Sequence, residues 1–378
     1  MNKSLLKKNL LMNLVSNMMI NLPTPININI WWNLGSMLGL CLMMQILTGL
    51  LMSMHYVSNV TLSFISIIHI MQDVNYGWLM RLIHINGASF FFIFMYMHIA
   101  RGMYYGSYKL IQVWTVGVII ILLLMMTAFM GYILPWGQMS FWGASVITNL
   151  VSTIPYFGTP LVYWLWGGFS VENPTLNRFY SLHFILPFIL TAMILIHLIL
   201  LHESGSNNPL GLKSNFYKIN FHPYFSIKDL AGFLMFLTMI MLIIMQTPYY
   251  LADPENSLEA DSFYTPMHIQ PEWYFLFAFT ILRSIPNKFC GVIALITSIL
   301  ILLIMPLLKI PKFQSMTFYP MSQILFWFFI GNMYMLTYLG TQYVEPPFST
   351  PMKICSLIYF MFFFINNYSM NLWDKMLS

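Results

Sequence analysis

The chain has 378 residues, 59% of them hydrophobic and only 7% charged, whereas soluble domains carry about 25% charged residues. A water-soluble fold is excluded and a polytopic membrane protein is indicated. The net charge of +5 is spread along loops and forms no basic patch, so nucleic-acid binding has no support.

Lys3, Lys7 and Lys8 sit among apolar residues near the start, which reads as an amphipathic interfacial helix, although a transit peptide has a similar pattern. Uncharged runs of about 20 residues can cross a bilayer. Eight are expected, at 33–54, 77–104, 113–134, 178–203, 229–247, 289–308, 321–340 and 353–372. The fold class is therefore all-α. Residues 1–210 form a first unit in which four crossings make a bundle, and 211–378 form a second with a long loop at 248–288. The connection at 135–177 is rich in aromatics and glycine but poor in charge, and reads as short helices on the membrane surface. Cys41, Cys290 and Cys355 lie in apolar runs and read as core thiols.

Eight crossings put both termini on one side, here called near. Lys3, Lys7, Lys8, Arg101, Lys109, Lys213, Lys218, Lys228, Lys309, Lys312 and Lys375 fall there, 11 of the 16 bases, while most acids fall on the far side. The near side therefore faces the negative compartment.

Within this frame one spacing stands out. His84 and His98 are 14 residues apart, as are His183 and His197. On a helix 14 residues advance roughly 1400°, about 40° short of four turns, and rise about 21 Å. Each pair therefore shares a helix face at two depths. Gly35 and Gly49, and Gly117 and Gly131, repeat the interval on the neighbouring crossings, and glycine permits close approach to the backbone. The alternating crossing direction places His84, His183, Gly49 and Gly131 in a far layer, and His98, His197, Gly35 and Gly117 in a near one. Imidazole is a good axial ligand for iron, so two stacked bis-histidine haems are the expected occupants. A lone membrane histidine is more often a hydrogen-bonded core residue; four at matched spacing with matched glycines are not.

Arg81 and Arg101 lie at the outer edges of the two layers, where an arginine can bind haem propionates or simply snorkel to the interface. Pro187, four residues after His183, is expected to bend its helix. His202, Ser206, Lys228 and Asp229 gather polar groups at the near surface, although Asp229 could be only a helix-start charge. In the loop 248–288, Pro271-Glu272-Trp273-Tyr274 sets a carboxylate among aromatics at the interface. Desolvation there would raise its pKa and make it a proton acceptor; an ordinary interfacial glutamate is the plain alternative. The last three crossings carry no deep ionisable residue and read as scaffold.

The paired histidine and glycine spacings, with GYILPWGQMSFWGA, LHESGSNNP, FHPYFSIKD, DPENSLEAD and PEWYFLFAF, resemble the cytochrome b family of mitochondrial and bacterial type. That family supplies the haem-bearing core subunit of ubiquinol:cytochrome c reductase, respiratory complex III. Plastid relatives usually have one extra residue in the second histidine interval and a chain split after the fourth helix, and this sequence has neither. The resemblance implies that His84 and His183 ligate a low-potential b haem, and His98 and His197 a high-potential one. It implies a far pocket for ubiquinol oxidation at Phe129, Tyr132, Gly143, Ile147, Pro271, Glu272 and Tyr274. A near pocket for ubiquinone reduction would comprise Trp32, Ser36, His202, Ser206, Lys228 and Asp229. Arg81, Arg101, Ser107 and Trp114 would lie near haem propionates, and Tyr132, Glu272, His202 and Asp229 would carry the proton chemistry. Phe279 departs from the tyrosine common in the family. The implied partners are the Rieske iron–sulfur protein, cytochrome c1, other complex III subunits, a second copy of the complex and the lipid membrane. The implied location is the mitochondrial inner membrane with both termini in the matrix. Two competing readings share the histidines: a di-haem electron conduit without opposed quinone pockets, and a transporter whose intramembrane histidines relay protons or bind a metal.

Overall fold

The computed structural model describes residues 9, 12, 13 and 16–377. Twelve α-helices are described: α1 (Leu34–Ser53), α2 (Ser63–Gln72), α3 (Gly77–Tyr104), α4 (Ile111–Ile133), α5 (Gln138–Asn149), α6 (Gly158–Trp166), α7 (Asn173–Ser204), α8 (Tyr224–Gln246), α9 (Leu276–Ser284), α10 (Lys288–Leu300), α11 (Pro320–Gly340) and α12 (Ser349–Met376). The only described strand pairing is three residues long, Pro23–Pro25 (β1) against Lys218–Asn220 (β2). The fold is thus all-α. The interfacial helix expected over the first 20 residues falls largely outside the described residues.

Seven described helical segments are long and apolar enough to cross a membrane: Ile30–Ser53, Gly77–Tyr104, Ile111–Ile133, Asn173–Ser204, Tyr224–Gln246, Lys288–Leu307 and Ser349–Met376. They match seven of the eight expected crossings. The remaining one, at 321–340, is helix α11, which is 21 residues long but diluted by Gln323, Asn332 and Thr337 and by the amphipathic rings of Trp327, Tyr334 and Tyr338. Its inward polar groups are satisfied within the protein, as where Asn332 donates to the Cys355 carbonyl. The segment 135–177 forms α5 and α6 and contains no crossing, as expected. Cys290 departs from expectation: it is exposed in the first turn of α10, whereas Cys41 is buried.

In the first half α1 packs along α3, and α4 along α7. α3 can begin where it does because Gly77 has no side chain: a Cβ there would run into the Ile70 carbonyl that closes α2. α7 opens with a capping box, in which the Glu172 and Thr175 side chains satisfy each other's backbone N–H groups, and continues unbroken through Pro187. It ends at Gly205, whose φ of 80° favours glycine. The main core joins α1, α3 and α4 to α8–α12. A smaller core around Trp136, Leu176 and Phe179 fixes α5 and α6 against the start of α7.

The long loop after α8 is pinned to the first turn of α5. Asn256 Oδ1 accepts from the backbone and hydroxyl of Ser140, and the Gln138 N–H donates to the Leu258 carbonyl. Gly137 is required for this approach, since a Cβ would strike the Asn256 carbonyl. These bonds hold DPENS beside the far end of the bundle, with Asp253 close enough to act on the Glu272 carboxylate.

Candidate haem and quinone sites

The four histidines form two pairs across the bundle. The ring centres of His84 and His183 are 6.3 Å apart, and those of His98 and His197 are 6.4 Å apart. A metal held end-on between two imidazoles separates their centres by roughly 6 Å, given metal–nitrogen bonds of about 2 Å. No group of three or more His, Cys, Asp or Glu side chains that could hold a metal is present among the described residues. Two protein ligands leave the equatorial positions to another donor set, which is what a macrocycle supplies.

Each glycine faces an imidazole of the helix it packs against. An ideal Cβ would lie 3.1 Å from His84 Cε1 at Gly49, 3.6 Å from His98 Cε1 at Gly35, and 3.4 Å from His197 Cε1 at Gly117. At Gly131 it would lie 2.8 Å from His183 Nδ1 and closer still to Cε1. The glycines therefore make room for the ligating rings as well as for whatever lies between them.

In the far layer both rings are oriented by the protein. His84 Nδ1 is 2.9 Å from Thr48 Oγ1, whose own hydrogen goes to the Met44 carbonyl. His183 Nδ1 is 2.8 Å from the Thr127 carbonyl. With the Thr48 hydrogen already donated to Met44, both partners accept, so both Nδ1 atoms carry the proton and both Nε2 atoms are free to ligate. These rings line a cavity of about 290 Å³ that reaches Arg81, Tyr132, Tyr249, Asp253 and Glu272.

The near layer is different. His98 Nδ1 is 3.2 Å from Arg101 Nη2, a group that can only donate, so this arrangement favours the tautomer with Nε2 protonated. His197 Nδ1 approaches the Val113 carbonyl without a well-formed hydrogen bond. The Arg101 guanidinium rests over the Trp32 ring at 5.1 Å, and its buried Nε has no partner. Ser107 Oγ is likewise buried and unpartnered. The only described ion pair is His69–Asp73, so neither Arg81 nor Arg101 has a carboxylate. A buried cation without a counterion is costly, and an anionic group such as a propionate would supply what both lack. Trp114 is less available, since its indole N–H already donates to the Leu302 carbonyl.

A second, narrower pocket of about 30 Å³ is lined by Phe129, Tyr132, Gly143, Ile147, Pro271, Glu272, Phe275 and Phe279, among others. Six of the seven residues expected there are brought together. Tyr274 instead turns away: its ring stacks on Phe92 at 4.1 Å and lines the larger cavity. Phe279, left off the expected site, does line the pocket, beneath the Arg283 guanidinium at 4.2 Å; its position one turn after Phe275 in an apolar helix was the available signal. Tyr132 and Glu272 form the wall common to both spaces. Burial, then the charge of Asp253, raises the Glu272 carboxyl to about 7, partly opposed by the facing Tyr132 hydroxyl. That hydroxyl makes no well-formed hydrogen bond.

At the near end, Asp229 faces Ser36 and Lys228. Lys228 Nζ donates to the Ile28 carbonyl, and its own carbonyl accepts from Asn33, next to Trp32. Trp32, Ser36, Lys228 and Asp229 thus converge. His202 and Ser206 lie at the end of α7 and just beyond it, and make no described side-chain hydrogen bond to that group.

A membrane bundle with paired imidazoles at two depths defines a cytochrome built to hold its cofactors between helices. The chain belongs to the cytochrome b/b6 family. Residues 19–205 match the model described as cytochrome b/b6/petB, and residues 259–360 match cytochrome b(C-terminal)/b6/petD. Among solved structures, a chain of a hyperthermophilic respiratory complex III is similar over 97% of this chain and 98% of its own, with a TM-score of 0.91 and 31% identity. Membership implies haem b binding and a redox role in a respiratory membrane complex, and it sets aside the transporter reading.

Proposed function

We propose that the chain carries electrons across a membrane between a far pocket that oxidises ubiquinol and a near pocket that reduces ubiquinone, with proton release and uptake on opposite faces. The observation that carries this reading is the pair of imidazole pairs, each spaced for one metal and set at two depths. His84 with His183 would hold the low-potential haem and His98 with His197 the high-potential one. When bound, these groups supply a one-electron path through the bundle. Residues 1–210 are the haem-bearing unit, and 211–378 complete the far pocket and the scaffold.

At the far pocket Phe129, Gly143, Ile147, Pro271 and Phe279 would exclude water and position the quinol head. Glu272 would accept a proton, because a base is most effective when its pKa lies near the working pH. Tyr132 would hold that carboxylate at the wall between pocket and cavity. At the near pocket Trp32 and Ser36 would position the quinone, while His202, Asp229 and Lys228 would deliver protons. Arg81, Arg101 and Ser107 would bind propionates. The working assembly in this reading is complex III of the mitochondrial inner membrane, with both termini in the matrix. Its other members would be the Rieske protein, cytochrome c1, further subunits and a second copy.

A redox titration of the visible bands, with haem type identified chemically, tests the core of this reading. Two b-type components of separate potential and about two haems per chain are expected. His98→Ala should lose the near haem alone; a two-haem spectrum in that variant overturns the assignment.

A further inference from the structure

The near face holds a pocket that the redox reading does not use. It measures about 40 Å³ and is lined by Tyr108, Lys109 and Ile111 at the start of α4, and by Met305, Pro306, Leu308, Lys309, Ile310 and Pro311 beyond α10. Both flanking segments end here: one crossing begins at Ile111 and the other ends at Leu307. The pocket therefore sits at the membrane–water boundary, between the ends of two helices.

Its charge is not balanced by the protein. Lys109 Nζ makes one long hydrogen bond, 3.3 Å to the Phe313 carbonyl. Lys309 is exposed, and its side chain makes no described hydrogen bond. The nearest acid, Asp374, is already committed: its two oxygens accept from the Lys312 N–H and the Tyr319 hydroxyl. Partial burial lowers Lys109 from the usual lysine range, with Asp374 opposing the shift. An ammonium so placed gains from an anion that displaces no existing partner.

The rim is apolar. Ile111 is 55% exposed and Ile310 68%, and both line the pocket with the two lysines; Leu307, 80% exposed, adjoins it in the chain. A small anion would use the lysines and leave this rim facing water. A phospholipid uses both, with its headgroup on the ammoniums and its acyl chains along the rim. Basic pockets between helix ends are a recognised physical arrangement for such headgroups.

We infer that Lys109 and Lys309 form a binding site for one anionic phospholipid of the near leaflet. The electron path does not require it, so the site is separable from the proposed activity.

The test is native mass spectrometry of the detergent-purified holoprotein within its complex, after exposure to phosphatidylglycerol or to phosphatidylcholine. Wild type should retain one more phosphatidylglycerol per chain than the K109Q/K309Q variant, with phosphatidylcholine retention equal in both and the haem spectrum unchanged. Inorganic phosphate at millimolar concentration should not displace the bound lipid. Equal phosphatidylglycerol retention in wild type and variant overturns the site. Displacement by phosphate reduces it to a simple anion site and overturns the lipid assignment. A K109Q/K309R variant that recovers retention supports charge recognition at Lys309.

Discussion

The two histidine layers have the same spacing, helices and glycines, yet the protein treats them differently. In the far layer both imidazoles are fixed by acceptors, at 2.9 and 2.8 Å, and Gly49 and Gly131 press closely on the rings. In the near layer the glycines stand further off, His197 Nδ1 lacks a good partner, and His98 faces a cation. The far site is organised by the polypeptide before any ligand enters. In the proposed reading the near site would be completed by its ligand: an anion that drew Arg101 away would free His98 to take the ligating tautomer. Identical sequence spacing thus hides two degrees of preorganisation.

The largest expected effect breaks the far layer by one methyl group. Gly131→Ala would force a Cβ onto the His183 ring, and such overpacking costs about 1–3 kcal/mol or more where the backbone must move. Gly131→Ala is expected to lose the far haem entirely while the near haem stays. Gly35→Ala, where the Cβ would stand 3.6 Å from His98, should keep both. Haem counts and optical spectra of the two variants decide it; equal losses would remove the asymmetry.

A smaller effect concerns chemistry at the far end. With the Glu272 carboxyl near 7, the accepting form is a minority below that pH and the majority above it. Quinol oxidation should therefore rise as pH increases through about 7. Glu272→Gln should flatten this rise and slow turnover at pH 8 by about 100-fold, the low end of general-base effects, with both haems retained. A variant that keeps the wild-type pH profile would take Glu272 out of the proton path.

The sequence made the layers legible because helical periodicity turns a 14-residue interval into two depths on one face, and crossing direction assigns those depths. Segment 135–177 was legible as short surface helices and 248–288 as a loop, but not the bonds from Ser140 to Asn256 that dock one on the other, since such pairing is non-local. The direction of the Tyr274 ring was not legible because a motif gives adjacency in sequence and not the direction of a side chain: stacking on Phe92 decides that. Phe279 was passed over for its missing hydroxyl, although its ring still forms wall. The expected crossing at 321–340 is a helix of adequate length whose polar residues face protein, a distinction that mean hydropathy cannot make. The difference between layers was invisible for the same reason, because Thr48, the Thr127 carbonyl and Arg101 act through side-chain geometry across helices.

The smallest effect sharpens the comparison most. Thr48→Val keeps shape and volume but removes the acceptor for His84 Nδ1–H, leaving that donor buried and unpaired. Loss of such an orienting partner typically costs 10–100-fold in metal affinity, and a Thr127 backbone acceptor still holds His183 on the opposite side, so about tenfold is expected. The measurement is the rate at which each haem is lost to apomyoglobin, followed at the two resolved bands. Faster loss from the far band alone would show that the polypeptide orients that ligand. Equal acceleration at both bands would mean that Thr48 serves the helix packing of the whole bundle, and that the far layer owes its order to the bound group just as the near layer does.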